Sequence, residues 1–373
     1  MTIKEKPDGT LLFPDFNKLQ FSPKFAADSL GISQQTLKLM ERDHGLVVAR
    51  RTAGSVPVRV YSVSNLFEVA RIRREKGLTK GLARQVIMST FVQKGGTAKT
   101  TTSINLAISL AFAGLKVLII DNDPQGDSTA MVGYDPDLSA AELAEEGAPE
   151  GRDVDGHLGH LLDVKSTFHS KTLNDVLKKP FGEHGPHLIP AEESLEDLDV
   201  ALRSATKPDF RYALFFDRAK KGKIPGVDLS MYDVIIIDNA PSSSLLTHNS
   251  MVASDFLICP VRMDRFSLRA LNRLSGKVEG FEEDFDRRPE IFVIPTMYIK
   301  NRPRIQHNIA KLNDAFPGKV SEIPLYFSED YSKSLDDAIP IMLWKGASDN
   351  SIGAMRSVFT TMLDKVRAII GSA

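Results

Sequence analysis

The stretch Lys94-Gly95-Gly96-Thr97-Ala98-Lys99-Thr100 constrains the fold more than any other part of this chain. Before it stands Val86-Ile87-Met88-Ser89-Thr90-Phe91-Val92, with the apolar, β-branched composition of a strand. After it, Thr100 to Ala113 places Ile104, Leu106, Ala107, Leu110 and Ala111 on one face of a helix. Glycines between a strand and a helix let backbone N–H groups turn in around phosphate oxygens, where the positive end of the helix dipole also lies. The nucleotide-binding residues expected are Lys94, Gly95, Gly96, Thr97, Ala98, Lys99, Thr100 and Thr101. Lys99 is expected on the β and γ phosphates, and the Thr100 hydroxyl on Mg²⁺.

A generic phosphate loop reads Gly-x-x-x-x-Gly-Lys-[Ser/Thr], and this sequence departs from it. Ala98 stands in place of the last glycine, and an additional lysine, Lys94, precedes the glycine pair. The pattern resembles the deviant Walker A motif of the ParA/MinD family, Lys-Gly-Gly-x-x-Lys-[Thr/Ser]. Two more segments carry the resemblance. Asp121-Asn122-Asp123-Pro124-Gln125-Gly126-Asp127 is similar to the family's Asp-x-Asp-Pro-Gln-Gly-Asn, with Asp127 for the usual Asn. Tyr232-Asp233-Val234-Ile235-Ile236-Ile237-Asp238-Asn239-Ala240-Pro241 ends an apolar strand on an acid, where a Walker B carboxylate holds Mg²⁺ through water. Asn239-Ala240 departs from the family's commoner Cys/Thr-Pro.

The resemblance covers roughly residues 86–370, apart from an acidic insertion. It implies an ATP hydrolase that uses ATP and Mg²⁺ and dimerises around the nucleotide. Lys94 would reach the partner's ATP, Lys99 would neutralise phosphate charge, and Asp123 would orient the attacking water. Thr100 and Asp238 would serve the metal, and turnover would be slow without an activating partner.

Composition adds a second theme. Net charge is -1, yet residues 1–85 hold 15 Lys+Arg against 8 Asp+Glu. A basic head on an acidic body suggests a polyanion partner. Phe25 to Arg42 reads as two helices around a turn at Gly31, with Ser33 capping the second and Ala27, Leu30, Ile32 and Leu37 as shared core. Arg50 to Tyr61 reads as a wing, and Ser62 to Arg74 as a capped basic helix. The order resembles a MerR-like winged helix-turn-helix. Gln34, Gln35, Thr36, Lys38, Arg50, Arg51 and Arg59 are the expected specific DNA contacts. Arg302, Arg304 and Lys333 are expected to touch DNA without sequence preference.

The fold expected is α/β: a doubly wound, mostly parallel sheet of a P-loop ATPase over residues 86–373, with a helical winged helix-turn-helix over 1–85. Further strands are expected at Lys116 to Ile120, Val234 to Ile237, Phe256 to Val261 and Ile291 to Ile294, with one short strand near Glu322 to Leu325. Residues 135–163 set nine acids against Arg152 and read as a mobile surface insertion. The one cysteine, Cys259, reads as a buried strand residue and leaves no disulfide within the chain. His157, His160, His169, His184 and His187 read as solvated. Ser351 to Ile370 reads as an amphipathic helix packed on the sheet, with Ile352, Met355, Phe359, Met362, Val366 and Ile369 on one face.

The function expected from the resemblance is that of a large ParA-type partition ATPase. Its partners would be a second copy, DNA and a ParB-like centromere-binding protein, with repression of its own operon, no membrane, and a cytoplasmic, nucleoid-associated location. An ATP-regulated repressor without a transport role and a MinD-like membrane-cycling ATPase are the rival readings.

Overall fold

A computed structural model describes residues 13–372 apart from 54–55, 163, 165–167 and most of 264–286. The tip of the expected wing and Asp163 of the acidic segment therefore lie outside the described residues.

The N-terminal part starts with a short strand β1 (Gln20–Phe21) and helix α1 (Pro23–Leu30), which Ser22 caps. Gly31 takes the left-handed conformation (φ 61°) that the turn into α2 (Gln34–His44) requires. Ser33 accepts the Thr36 N–H and starts α2, as expected of a cap. Strands β2 (Ala49–Ala53) and β3 (Val56–Ser62) form an antiparallel hairpin, and β1 adds to the other side of β3. A capping box of Ser62 and Asn65 opens α3 (Val63–Glu75).

Among the described residues the body forms a six-stranded sheet in which every neighbouring pair is parallel. In chain order it contains β4 (Val86–Thr90), α4 (Lys99–Phe112), β5 (Val117–Asn122), α5 (Asp127–Met131), α6 (Ala140–Glu145), α7 (Leu173–Val176) and β6 (His187–Ile189). Then come α8 (Leu195–Arg203), α9 (Arg211–Lys220), β7 (Val234–Asn239), α10 (Leu245–Ala253), β8 (Phe256–Arg262) and β9 (Glu290–Thr296). Helices α11 (Pro303–Ala315), α12 (Glu329–Asp336) and α13 (Ala354–Ile370) complete it. The strand order is β6-β5-β7-β4-β8-β9, so β4 lies at the centre.

Side chains alternate across each strand, and the two faces build different cores. Val86, Met88, Val117, Ile119, Val234 and Ile236 pack towards α4 and α13. Leu118, Ile120, Ile235 and Ile237 pack with Leu198, Tyr212 and Phe216 of α8 and α9. The first of these cores does not stop at the body. It continues without a break into Phe21, Leu30, Leu37 and Phe67 of the N-terminal part. Phe67 on α3 stacks on Phe112 at the C-terminal end of α4, with ring centroids 5.0 Å apart. Arg356 on α13 donates to the Ser29 hydroxyl at 2.8 Å and lies over the Phe25 ring.

Several expectations need correction. No strand forms at Glu322 to Leu325, where only isolated bridges tie Val320 to Val293 and Tyr326 to Tyr298. Strand β6 adds to the expected strands; its three residues carry too little pattern to be read from sequence. His157 and His187 are buried, because their ring nitrogens have partners: Gly159 N–H and the Ser194 hydroxyl for one, the Tyr232 hydroxyl for the other. Burial pulls His157 down to about 3 and His187 to about 4, so both are neutral at physiological pH. In the acidic segment Glu142, Glu145, Glu146 and Glu150 are exposed, while Leu143, Leu158, Leu161 and Leu162 are buried. Cys259 is buried in β8. On α13, Met355, Phe359, Met362 and Val366 are buried, but Ile369 is 60% exposed near the helix end.

Asp330 at the start of α12 ties that helix to the turn before α13. Its carboxylate accepts the Ser348 N–H at 2.9 Å and the Ser348 and Ser351 hydroxyls at 2.6 Å each. These bonds pull its pKa from 3.8 down to about 2. A depressed carboxylate stabilises the fold fully above its unfolded pKa, and the contribution is lost as pH falls through the folded value. Asp330→Asn should therefore lower the thermal midpoint at pH 7, and its gap from the unsubstituted protein should close between about pH 4 and pH 2. A gap that stays constant over that range would contradict this assignment.

Candidate nucleotide site

The loop between β4 and α4 has two residues in the left-handed region, Gly96 at φ 67° and Ala98 at φ 71°. Glycine adopts this conformation freely, whereas alanine pays about 1–2 kcal/mol for it. The Thr97 side chain is buried beneath the loop, and the Thr97 carbonyl accepts from the Thr296 hydroxyl at the end of β9. Lys99, the first residue of α4, folds back so that Nζ donates to the Lys94 carbonyl at 3.3 Å. It is 8% exposed. Burial lowers its pKa, while the charges of Asp238, Asp123 and Asp127 oppose that shift. Thr100 and Thr101 are half-buried in the first turn of α4.

Asp238, near the end of β7, is buried and fully engaged. Its Oδ1 accepts the Thr90 hydroxyl and the Ser103 hydroxyl, and its Oδ2 accepts the Ser128 hydroxyl, each at 2.7 Å. Asp121 sits directly opposite Asp238 in the β5–β7 register. It accepts the Thr129 N–H at 2.8 Å and the Thr129 hydroxyl at 2.7 Å. Burial first, and then the Asp238 charge, raises the Asp121 pKa well above the usual carboxylate range. Asp123 follows β5, is half-buried, and accepts the Gln125 N–H at 3.1 Å. Burial raises its pKa too, with Asp238 and Asp127 adding to the shift.

Lys94, Lys99, Thr100, Asp123 and Asp238 thus share the C-terminal end of β4, β5 and β7. That is where parallel sheets of this kind bind ligands. An open cleft of about 550 Å³ adjoins Asp123 and is lined also by Gln125, Asp197, Asp199, Pro241 and Ser242. The residues that the sequence reading missed are Thr90, Ser103, Ser128 and Asp121. Ser103 lies one helical turn after Lys99, a spacing that places both on the same side of α4.

The expected DNA-contacting residues lie elsewhere. Gln34, Gln35 and Lys38 on α2 are exposed, while Thr36 is half-buried and bonds to Ser33. Arg50 and Arg59 both reach Glu41 of α2, Arg50 at 3.5 Å and Arg59 more closely. They pin the hairpin to the helix rather than standing as loose cations. Arg51 is exposed beside them. Arg302 and Arg304 are exposed at the start of α11, and Lys333 pairs with Glu329 at 3.1 Å.

The family model described as AAA domain matches residues 85–291. The chain is 31% identical to the sporulation initiation inhibitor protein Soj of Bacillus subtilis over 190 residues, which is 50% of this chain and 62% of Soj. It is 27% identical to the chromosome partitioning protein ParA of Caulobacter vibrioides over 254 residues, 68% of this chain and 84% of that protein. Its fold is similar to cobyrinic acid a,c-diamide synthase from Mycobacterium smegmatis, solved with ADP and magnesium. That TM-score is 0.57 at 20% identity, covering 76% of this chain and 96% of the synthase.

Replacing Ala98 by glycine relieves the left-handed strain and restores the generic loop residue. The expected net gain is up to about 1 kcal/mol, after glycine's larger unfolded freedom is set against the strain. Urea unfolding of nucleotide-free Ala98→Gly should give a higher midpoint. An unchanged or lower midpoint would show that the loop holds Ala98 without strain.

Proposed function

This chain belongs to the AAA domain family and is a P-loop ATPase of the ParA/MinD type, and on that premise we propose that it is an ATP hydrolase that partitions DNA. The observation that carries the reading is the folded-back Lys99, held over the loop within the field of Asp123, Asp127 and Asp238. A buried cation at the N-terminus of α4 is matched to the β and γ phosphates of ATP.

The acids around Lys99 outnumber it, which suits a divalent cation. Among the described residues no three carboxylate, histidine or cysteine side chains converge as metal ligands. Mg²⁺ suits such a site, because it retains water and takes phosphate oxygens in preference to a protein cage. Thr100 would supply its hydroxyl and Asp238 would act through water. When bound, the ion neutralises charge on the β and γ phosphates. Asp123 orients the water that attacks the γ-phosphate, and ADP and phosphate leave. Lys94 reaches the ATP of a second copy, so the ATP-bound form is a homodimer.

The DNA-binding roles follow from charge and shape. Exposed Gln34, Gln35 and Lys38 with Arg51 would read an operator, and so repress the chain's own operon. Arg302 and Arg304, with Lys333 at the edge, would hold DNA through phosphates in a salt-dependent way. A ParB-like centromere-binding protein would stimulate turnover on the nucleoid, in the cytoplasm. The buried apolar face of α13 disfavours a membrane-lying role for that helix.

Three substitutions separate the roles. Lys99→Ala should abolish ATP binding, Asp123→Ala should bind ATP and dimerise without turnover, and Lys94→Ala should bind ATP as a monomer. Each lost charged contact should be worth roughly 1.5–3 kcal/mol. Sedimentation with ATP and Mg²⁺, alongside phosphate release, gives the readout. A Lys94→Ala protein that dimerises as well as Asp123→Ala would remove the trans role of Lys94.

For the N-terminal part, the full chain should protect one sequence at its own promoter from nuclease, and Gln34→Ala/Gln35→Ala should lose that footprint while keeping affinity for random DNA. Equal protection of every sequence would overturn the operator assignment.

A further inference from the structure

The last residues of β5 and β7 are both asparagine, and they face each other: Asn122 is the register partner of Asn239. Both are buried. Asn122 Nδ2 donates to Asn239 Oδ1 at 2.8 Å, and Asn122 Oδ1 accepts the Tyr212 hydroxyl of α9 at 2.8 Å. Asn239 Oδ1 also accepts the Ser250 hydroxyl of α10 at 2.8 Å, and Asn239 Nδ2 donates to the Thr90 carbonyl at 3.2 Å. One closed amide network therefore joins β4, β5, β7, α9 and α10. Every side-chain amide group in it has a partner, which a buried polar cluster requires if it is to specify a single geometry.

Strand alternation gives this network its meaning. Asp121 and Asp238 share the α4 face of the sheet, Asp238 bonded to Ser103 and Ser128 and Asp121 to Thr129. Asn122 and Asn239 point to the opposite face, towards α9 and α10. Asn122 immediately precedes Asp123, and Asn239 immediately follows Asp238. The amide pair thus fixes the relative main-chain position of the two acids from behind, without touching the nucleotide side.

We infer that Asn122, Asn239 and Tyr212 form a positioning clamp for hydrolysis, which holds the Asp123 backbone in place against Asp238 and links it to α9 behind the sheet. This rests on the reading above that Asp123 orients the attacking water. Small displacements of a positioned group depress the chemical step far more than ground-state binding.

Tyr212→Phe is the first test, since it removes one hydroxyl and keeps the ring. ATP hydrolysis should show kcat lower by about tenfold, with KM for ATP and affinity for a non-hydrolysable analogue within about twofold. Tyr212→Phe/Asn122→Leu removes donor and acceptor together while retaining apolar volume. It also removes the Asn122 bond to Asn239, so kcat should fall at least as far, with nucleotide affinity again within about twofold. An unchanged kcat in both variants overturns the clamp. So does a parallel fall of kcat, nucleotide affinity and thermal midpoint, which marks a purely structural role. Asp123→Ala run alongside separates the two levels. If Asp123→Ala retains full turnover, the reading of Asp123 fails and the clamp with it. If Asp123→Ala is inactive while Tyr212→Phe and the double variant are both fully active, only the clamp fails.

Discussion

Asp238 holds the site together. Its two oxygens gather hydroxyls from β4, α4 and α5 at one point, so the central strand, the loop helix and the helix after β5 share a single buried acceptor. A buried carboxylate survives only where its charge is met by donors. Three hydroxyls meet that need here, and the Lys99 charge adds to it from the side. Asp121, opposite in the register, also has three donors, the Asp123 and Thr129 N–H groups and the Thr129 hydroxyl, yet burial and the neighbouring Asp238 charge raise its pKa. Remove Asp238 and three hydroxyls on three elements lose their common partner at once.

Helix α4 carries that point to the rest of the molecule. Its first turn contains Lys99, Thr100 and Thr101, its middle is buried against the sheet, and its last residue stacks on Phe67 of α3. A rigid helix of 14 residues spans about 21 Å. The phosphate loop and the N-terminal part are therefore the two ends of one element. Asn105 in its middle adds a fixed contact, donating to the Thr101 carbonyl and accepting the Met342 N–H.

Much of this was legible in the sequence because it rests on short-range signals. The loop glycines, the capping serines at 33 and 62, and the five longer apolar strands are local patterns, and each appears where expected within a residue or two. Strand β6 has three residues and no pattern to read. The roles of Asn122 and Asn239 depend on two strands 117 residues apart coming into register, which no local window contains. The pairing of Arg50 and Arg59 with Glu41 is of the same kind: charge counting found the basic residues but not the acid that engages them. The buried histidines differ from expectation because polarity suggests exposure, whereas a histidine with both ring nitrogens satisfied packs well inside.

The shared core of the N-terminal part and the body bears on how such a chain can change over evolutionary time. Residues on both sides of position 85 belong to one apolar cluster, with Phe67 on Phe112 and Phe25 beneath Arg356. A recombination event that lost the first 85 codons would leave Phe112 and its neighbours facing water. Such a patch favours self-association and precipitation. Shedding or exchanging this N-terminal part therefore requires compensating polar replacements on α4 and α13 in the same lineage. The two portions are bound to diversify together, so substitutions on α3 should track those on the far end of the loop helix.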